Sequence, residues 1–191
     1  MKSLAKNPLA ALVFCCLLFF SSYGAGNLMS MNHDHAFMEN DQHNHEHQVH
    51  SEFDFLAEMI PHHQEAVDSS KKIKAITDRP ELRDFAGEII KTQKEEIRKM
   101  EEWLELWYPD RDVQPIYQPM MRDLEELPVE EAEKTFLEDM ILHHEMAVIM
   151  AASLLEHELV EHQEVEVLAR SITEAQEEEI EMMQKWLDEW F

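Results

Sequence analysis

The sequence predicts an all-α protein, a four-helix bundle made of two copies of one helical hairpin. Residues 55–67, FLAEMIPHHQEAV, match residues 136–148, FLEDMILHHEMAV, at an offset of 81 positions. Residues 93–107, QKEEIRKMEEWLELW, match residues 176–190, QEEEIEMMQKWLDEW, at an offset of 83. A chain with two such matches builds one supersecondary unit twice. The chain also has only three glycines, none after Gly87, which disfavours sheets with tight turns and phosphate-binding loops.

The spacing of the apolar residues predicts four helices, over residues 51–76, 79–107, 129–157 and 162–190. Each would be about 40 Å long, at roughly 1.5 Å per residue. Ser51 is a typical N-cap for the first helix, with an acidic residue at the third helical position. Apolar side chains recur at steps of three and four along each segment, which is the pattern of one helix face turned toward a core. In the second helix this stripe consists of Leu82, Ala86, Ile89, Gln93, Ile97, Met100, Leu104 and Trp107.

A linker, residues 108–128, separates the two hairpins (residues 51–107 and 129–191) and contains four prolines. About 20 extended residues can reach some 65 Å, which exceeds the length of a helix. Such a linker permits an ordinary up-down bundle or a ferritin-like bundle with one long crossover. The crossover is favoured, because an antiparallel neighbour would need only a short loop. We expect Met120 and Met121 to lie on a short helix within this linker.

Residues 1–26 are predicted to be a cleavable secretory signal peptide. Lys2 and Lys6 precede an apolar run at residues 9–20, and small residues follow it. The run has twelve residues, whereas a membrane span needs about 20, so a retained anchor is the weaker alternative. Cys15 and Cys16 are the only cysteines, so the mature chain, residues 27–191, would have no disulfide and no thiolate metal site. We therefore expect a periplasmic or secreted protein with no stable membrane insertion.

The formal net charge of the whole chain is −25. An acidic field of this size repels nucleic acid and anionic membrane surfaces and attracts cations. Solubility alone would explain the acidic excess equally well. The composition therefore excludes a nucleic-acid partner and is compatible with metal ions as ligands.

Residues 27–50 form a low-complexity tail between the signal peptide and the bundle at residues 51–191. The tail has almost no periodic apolar pattern, which predicts disorder in the absence of a ligand. Its histidine and methionine side chains are metal ligands carried on a flexible segment. A nonspecific metal sponge and a pH-sensitive linker are plainer interpretations of the same residues. The methionines are Met29, Met31 and Met38, and the histidines are His33, His35, His43, His45, His47 and His50.

Two His-His pairs at the same place in both repeats are the strongest candidates for metal ligands. Adjacent histidines on a helix point about 100° apart, so each is better placed to share a metal ion with residues three or four positions away. Met59 lies four residues before His63, and Met140 lies four residues before His144. The pairs themselves are His62-His63 and His143-His144.

The two repeats differ in the residues that follow the histidines. In the second repeat, His143, Met146 and Met150 form one stripe at steps of three and four. Glu65 and Ser69 replace these methionines in the first repeat, which should make its ligands harder. On the partner helices, Met100 and Met183 share the apolar stripe with Gln93 and Gln176. We expect each buried Gln to hydrogen-bond a histidine of the facing helix and fix its tautomer.

The ligand set indicates copper. Thioethers favour Cu(I), and imidazoles suit Cu(II) and Zn(II), so Ag(I) and Zn(II) are expected as surrogates. A ferritin-like di-iron or di-manganese oxidase would need Glu-x-x-His motifs, and the four predicted helices have none. A structural or interaction bundle with pH-responsive histidines is the other alternative. No pattern resembles a nucleophile–base pair, so we expect a binding protein and not an enzyme.

Several motifs resemble the CopM-type ferritin-like family of exported bacterial copper-binding proteins. They are M-I-P-H-H-x-x-A-V at 59–67, M-I-L-H-H-x-x-A-V-x-M-A at 140–151, and Q-x-x-E-I-x-x-M-x-x-W-L at 93–104 and 176–187. The resemblance covers residues 51–191 and implies a helical bundle that serves copper resistance without known catalysis. It implies metal-binding roles for His62, His63, His143, His144 and Met150. Ser69 departs from the methionine of this motif. The resulting prediction is a copper buffer or carrier that exchanges metal with a copper efflux or uptake protein.

Overall fold

The computed structural model describes residues 49–115 and 117–191. Four α-helices account for most of them: α1 (Glu52–Ile76), α2 (Pro80–Trp107), α3 (Val129–Glu156) and α4 (Gln163–Trp190). These bounds agree with the predicted helices to within one residue at every end, and the predicted all-α fold is confirmed. The predicted signal peptide lies outside the described residues, as does the tail up to residue 48. None of the described helices is both long and apolar enough to span a membrane.

The helix ends show how α1 and α3 run relative to each other. At the start of α1, the carboxylate of Glu52 accepts hydrogen bonds from the backbone N–H of Glu161 and His162, just beyond the end of α3. At the start of α3, Glu133 accepts hydrogen bonds from Thr77 and Arg79, just beyond the end of α1. The start of each helix therefore lies beside the end of the other, and the two helices are antiparallel.

The linker must consequently travel from one end of the bundle to the other. Near its start, the Tyr108 hydroxyl donates to Glu52 at the beginning of α1. Near its end, Asp123 forms an ion pair with Lys72 in the last two turns of α1, with an N–O distance of 2.8 Å. The predicted long crossover is confirmed.

The predicted short helix at Met120 and Met121 is wrong. This part of the linker is not helical. Its backbone N–H groups instead donate to the Glu65 carboxylate of α1, at distances of 3.0 to 3.1 Å. A carboxylate that accepts two successive N–H groups offers the backbone an alternative to helical hydrogen bonds, which sequence propensity alone does not anticipate.

Two apolar clusters fill the described bundle, one toward each end. The first core cluster includes Phe55, Met59, Met100, Met150, Leu154 and Ile172. The second core cluster includes Ile73, Leu82, Leu124, Phe136, Met140 and Met183. The middle of α1 and the middle of α3 lie between these clusters, and both carry the His-His pairs. The fold therefore places the His-His pairs at mid-height, between two apolar clusters.

Candidate metal centre

Four histidines form a buried layer at the middle of the bundle. We call His62, His63, His143 and His144 the histidine layer; none is more than 1% exposed. The rings of His62 and His143 lie against each other across the α1–α3 contact, with centroids 3.6 Å apart and planes inclined by 33°. The two helices thus bring the predicted pairs from both repeats together at one place.

The two central imidazoles have no hydrogen-bond partner among the described residues. Both ring nitrogens of His62 and both of His143 are buried without a hydrogen bond. Burial lowers the pKa of His62 well below its ordinary value, and the neighbouring His143 lowers it further. Burial likewise lowers the pKa of His143, with His144 as the next cause. Both rings are therefore neutral near pH 7, which is the form that binds a metal ion.

The outer two histidines of the layer are held by carboxylates. His63 Nε2 lies 3.0 Å from Glu96 Oε2, and His144 Nε2 lies 2.7 Å from Glu179 Oε2. The ring nitrogen donates in each case, because an ionised carboxylate only accepts. Each ring keeps a buried Nδ1 that has no partner among the described residues. A carboxylate on one nitrogen and a free lone pair on the other is the usual environment of a histidine metal ligand.

These acidic partners differ from the residues that the sequence predicts. Gln93 and Gln176 are buried as expected, but their side-chain oxygens have no hydrogen-bond partner among the described residues. Glu96 and Glu179, one helical turn further on, take the contact instead. The signal that could have identified them is the Gln-x-x-Glu spacing, which occurs in both repeats.

Glu65 connects the histidine layer to the linker. Its Oε2 lies 3.5 Å from Nε2 of His143. The Tyr117 hydroxyl and the backbone N–H groups of Met120 and Met121 all donate to the same carboxylate. The sequence suggests that Glu65 serves the histidines of its own repeat. The structure instead places it beside a histidine of the other repeat.

The methionines predicted as ligands lie in the apolar clusters above and below the histidine layer. Among them, only the side chain of Met146 is more than marginally exposed. Gap filling is the ordinary role of methionine in such a core, so the thioether ligands remain a prediction. Met59, Met100 and Met150 belong to the first core cluster, which Met146 borders, and Met140 and Met183 belong to the second.

Nitrogen and oxygen donors alone do not form a ready-made centre in this conformation. Within residues 49–115 and 117–191, no three His, Cys, Asp or Glu side chains are grouped so that they could hold a metal ion together. The layer does supply six buried ring nitrogens that make no hydrogen bond to the described residues. His50, at the start of the described chain, is exposed. The other predicted tail ligands, His33, His35, His43, His45 and His47, lie outside the described residues.

A family model described as a domain of unknown function, DUF305, matches residues 52–187. The chain belongs to the DUF305 family. Structures of CopM in Cu(II)-bound and Cu(I)-bound forms are 31% identical to this chain, with a TM-score of 0.66, and the match covers 74% of this chain and 98% of CopM. A DUF305 protein from Streptomyces coelicolor is 33% identical, with a TM-score of 0.65 over 73% of this chain and 92% of its own. None of the curated proteins matches this chain.

These similarities confirm the predicted relationship to CopM-type proteins. CopM has also been solved in silver-bound form, at a TM-score of 0.65 to this chain. A DUF305 fragment from Deinococcus radiodurans is 32% identical over 98% of its length. The histidine layer lies well inside the part of the chain that matches the DUF305 domain.

Proposed function

We propose that this protein binds copper outside the cytoplasm and buffers, sequesters or carries it. The observation that carries the proposal is the buried pair of His62 and His143, whose four ring nitrogens make no hydrogen bond to the described residues. Unpartnered polar atoms in an apolar interior cost roughly 1–3 kcal/mol each, a cost that metal coordination would offset. The copper-bound and silver-bound forms of CopM support the choice of metal.

The donor types around the layer fit copper in both of its common oxidation states. Imidazole binds Cu(II) well, and thioethers favour Cu(I) and its analogue Ag(I). The copper ion is cargo in this proposal, held and released without chemical conversion, and we propose no catalytic role. The absence of Glu-x-x-His motifs in the four helices argues against the di-metal oxidase alternative.

The proposed location is the periplasm or the exterior of the cell. The predicted signal peptide supports export, and a relative from Streptomyces coelicolor is described as a secreted protein. A protein that buffers copper there would exchange the ion with a copper efflux or uptake protein and contribute to copper resistance.

Copper binding by a variant of the layer tests the proposal. We expect the double substitution His62→Gln and His143→Gln in the mature protein to remove the tightest copper site, measured by competition with a chromogenic Cu(I) chelator and by Cu(II) titration. His157→Gln is a matched control, because it makes the same change at an exposed histidine beyond the end of α3. If the double variant keeps its helicity and binds both ions as tightly as the unmodified protein, the histidine layer is not the copper site.

A further inference from the structure

Part of the crossover linker lies over the histidine layer, and we call this part, residues 117–123, the strap. Its first residue, Tyr117, packs edge-on against the ring of His62, with centroids 6.0 Å apart and planes inclined by 76°. The Tyr117 hydroxyl donates to Glu65, whose carboxylate lies 3.5 Å from Nε2 of His143. The strap therefore covers the two central histidines on the linker side of the α1–α3 contact.

The strap is fastened by hydrogen bonds to two carboxylates, one on each central helix. The backbone N–H groups of Met120 and Met121 donate to Glu65 of α1. The backbone N–H of Arg122 donates to Asp139 of α3 at 2.7 Å, and the Arg122 guanidinium forms an ion pair with the same carboxylate. No residue of the strap is buried. A segment held by polar contacts with little buried apolar surface opens locally at a lower free energy than the helices beneath it.

A cavity of about 180 Å³ lies between the strap and α1. Its lining runs from Glu65 to Lys72 on α1 and includes residues 121–123 of the strap. Ser69 lines the cavity and is 6% exposed, and its hydroxyl makes no hydrogen bond to the described residues. A polar cavity of this size holds water. The cavity thus provides a polar space that ends at Glu65, the carboxylate beside the central histidines.

The remaining surroundings of the central pair are less suited to the passage of an ion. The first and second core clusters are apolar and lie toward the two ends of the bundle. Among the described residues, Glu65 is the only carboxylate paired with a central histidine. The equivalent position of the second repeat, 81 residues further on, is Met146, which offers no carboxylate on the α3 side. The polar route to the central pair therefore passes under the strap.

We propose that the strap is the gate through which copper reaches and leaves the central histidines. When the strap detaches from Glu65 and Asp139, the cavity opens to solvent and gives a cation a polar path to His143. When the strap is attached, Tyr117 shields His62 from water. This inference rests on the proposed copper-binding function. It concerns the rate of copper exchange, whereas the equilibrium affinity is set by the layer itself.

A chemical cross-link across the cavity tests whether the strap must move. Lys72 on α1 and Asp123 on the strap form an exposed ion pair at 2.8 Å, and residues 27–191 contain no cysteine. Lys72→Cys with Asp123→Cys, joined by a short bis-maleimide, holds the strap closed. The same variant capped with N-ethylmaleimide is the matched control, because it has the same thioethers without the bridge. In stopped-flow measurements, we expect the bridged protein to load Cu(I) and release it to a chelator at least about tenfold more slowly.

A looser strap should have the opposite effect. Arg122→Gln removes the guanidinium contacts with Asp139, so we expect copper loading and release to become roughly threefold to tenfold faster at unchanged equilibrium affinity. Hydrogen exchange of the Met120 and Met121 amides in the metal-free protein should accelerate by a similar factor. Arg170→Gln is the matched control, because it removes an exposed arginine–glutamate pair on α4 and should change neither rate.

The proposal is overturned if the bridged and the capped proteins exchange copper at the same rate. The ion would then enter from the α2–α4 side, where Glu96 and Glu179 contact the outer histidines and are 12% and 27% exposed. It is also overturned if Arg122→Gln accelerates amide exchange in the strap without accelerating copper exchange.

Failure of this inference is distinguishable from failure of the proposed function. Only the kinetic phase that the double substitution His62→Gln and His143→Gln removes is assigned to the layer, which excludes ions held by the tail. If that phase exists and is equally fast with and without the bridge, only the gate is wrong. If the double variant binds copper as tightly as the unmodified protein, the proposed function is wrong, and the gate fails with it.

Discussion

Glu52 in the first turn of α1 hydrogen-bonds the ring of His162, the N-cap of α4, with 2.6 Å between Oε1 and Nδ1. The ring of His162 also stacks on Trp107 at the end of α2, with centroids 3.8 Å apart and planes within 1° of parallel. Glu52 is fully buried and further accepts two backbone N–H groups at the start of α4. The Glu52 carboxylate therefore links α1 to the start of α4 directly and to the end of α2 through the ring of His162.

The opposite end repeats the arrangement with an arginine in place of the histidine. Glu133, 81 residues after Glu52, pairs with Arg79 at an N–O distance of 2.9 Å. Arg79 in turn lies over the ring of Trp190, 4.4 Å from its centroid. Arg79 and Trp190 are the counterparts of His162 and Trp107 at the offset of 83. The repeat thus preserves an acid, a nitrogen donor (His162 or Arg79) and a tryptophan at each end of the bundle.

Removal of the negative charge at Glu52 should destabilise the fold. We expect Glu52→Gln to lower the free energy of unfolding by about 1–3 kcal/mol, because hydrogen bonds to a buried charged group contribute that much. Urea denaturation monitored by circular dichroism measures the change. Glu105→Gln, at an exposed position in the last turn of α2, should stay within about 0.5 kcal/mol of the unmodified protein. Equal stability of the two variants would show that the Glu52 contacts contribute little.

The stability of the metal-free protein should fall as the pH drops below about 6.5, the ordinary pKa of histidine. The pKa values of His62 and His143 are lowered in the folded state, so the unfolded chain binds more protons between the unfolded and the folded pKa. Stability is therefore complete above the unfolded pKa and declines as pH falls toward the folded one. Each group contributes a slope of at most about 1.4 kcal/mol per pH unit.

Chemical denaturation of chelator-treated protein at pH 7.5 and pH 5.5 checks whether stability falls with pH in this direction. The variant with His62→Gln and His143→Gln serves as the control, and its stability should depend less on pH over the same interval. A steeper or equal dependence in the variant would assign the pH effect to other groups.

The helices and the repeat were predictable because they depend on local spacing. Steps of three and four along each segment determine which side chains share a face, and they placed one ring of each His-His pair toward the core before any tertiary information was available. Local spacing does not predict that Glu96, and not Gln93, is the partner of His63. It depends on how α1 and α2 are rotated and shifted against each other by about one turn, and the sequence of either helix leaves that shift open.

The role of Glu65 depends on even longer-range structure. Its contact with His143 requires the antiparallel packing of two helices that are far apart in sequence. Its hydrogen bonds to Met120 and Met121 require a particular path of the crossover. Pattern reasoning compares residues within one helix, so it assigned Glu65 to its own repeat and the linker methionines to a helix.

Removal of the tail should reduce the number of bound copper ions and leave a tight site in the bundle. Val49 is only 2% exposed and belongs to the first core cluster, so the deletion is best placed at residues 27–48. The deletion removes five of the six tail histidines and all three tail methionines. Equilibrium dialysis with copper analysis gives the stoichiometry. A truncated protein that binds no copper under reducing or oxidising conditions would assign all of the binding to the tail.

Met150 provides the sharpest test of whether a buried thioether of the bundle is a ligand. Its side chain is 4% exposed and lies in the first core cluster, one turn after Met146 on α3. Met150→Leu conserves volume, should cost less than about 1.5 kcal/mol of stability, and removes only the sulfur. We expect the variant to bind Cu(I) and Ag(I) clearly more weakly and to bind Cu(II) almost unchanged.

A second methionine controls for the effect of the substitution itself. Met182→Leu makes the same change at a partly buried residue that packs against the second core cluster and is not among the predicted ligands. Its affinities for Cu(I) and Cu(II) should match those of the unmodified protein. If Met150→Leu behaves in the same way, or loses Cu(II) while Cu(I) binding is unaffected, Met150 is a packing residue. The metal centre would then be built from the histidines without its sulfur.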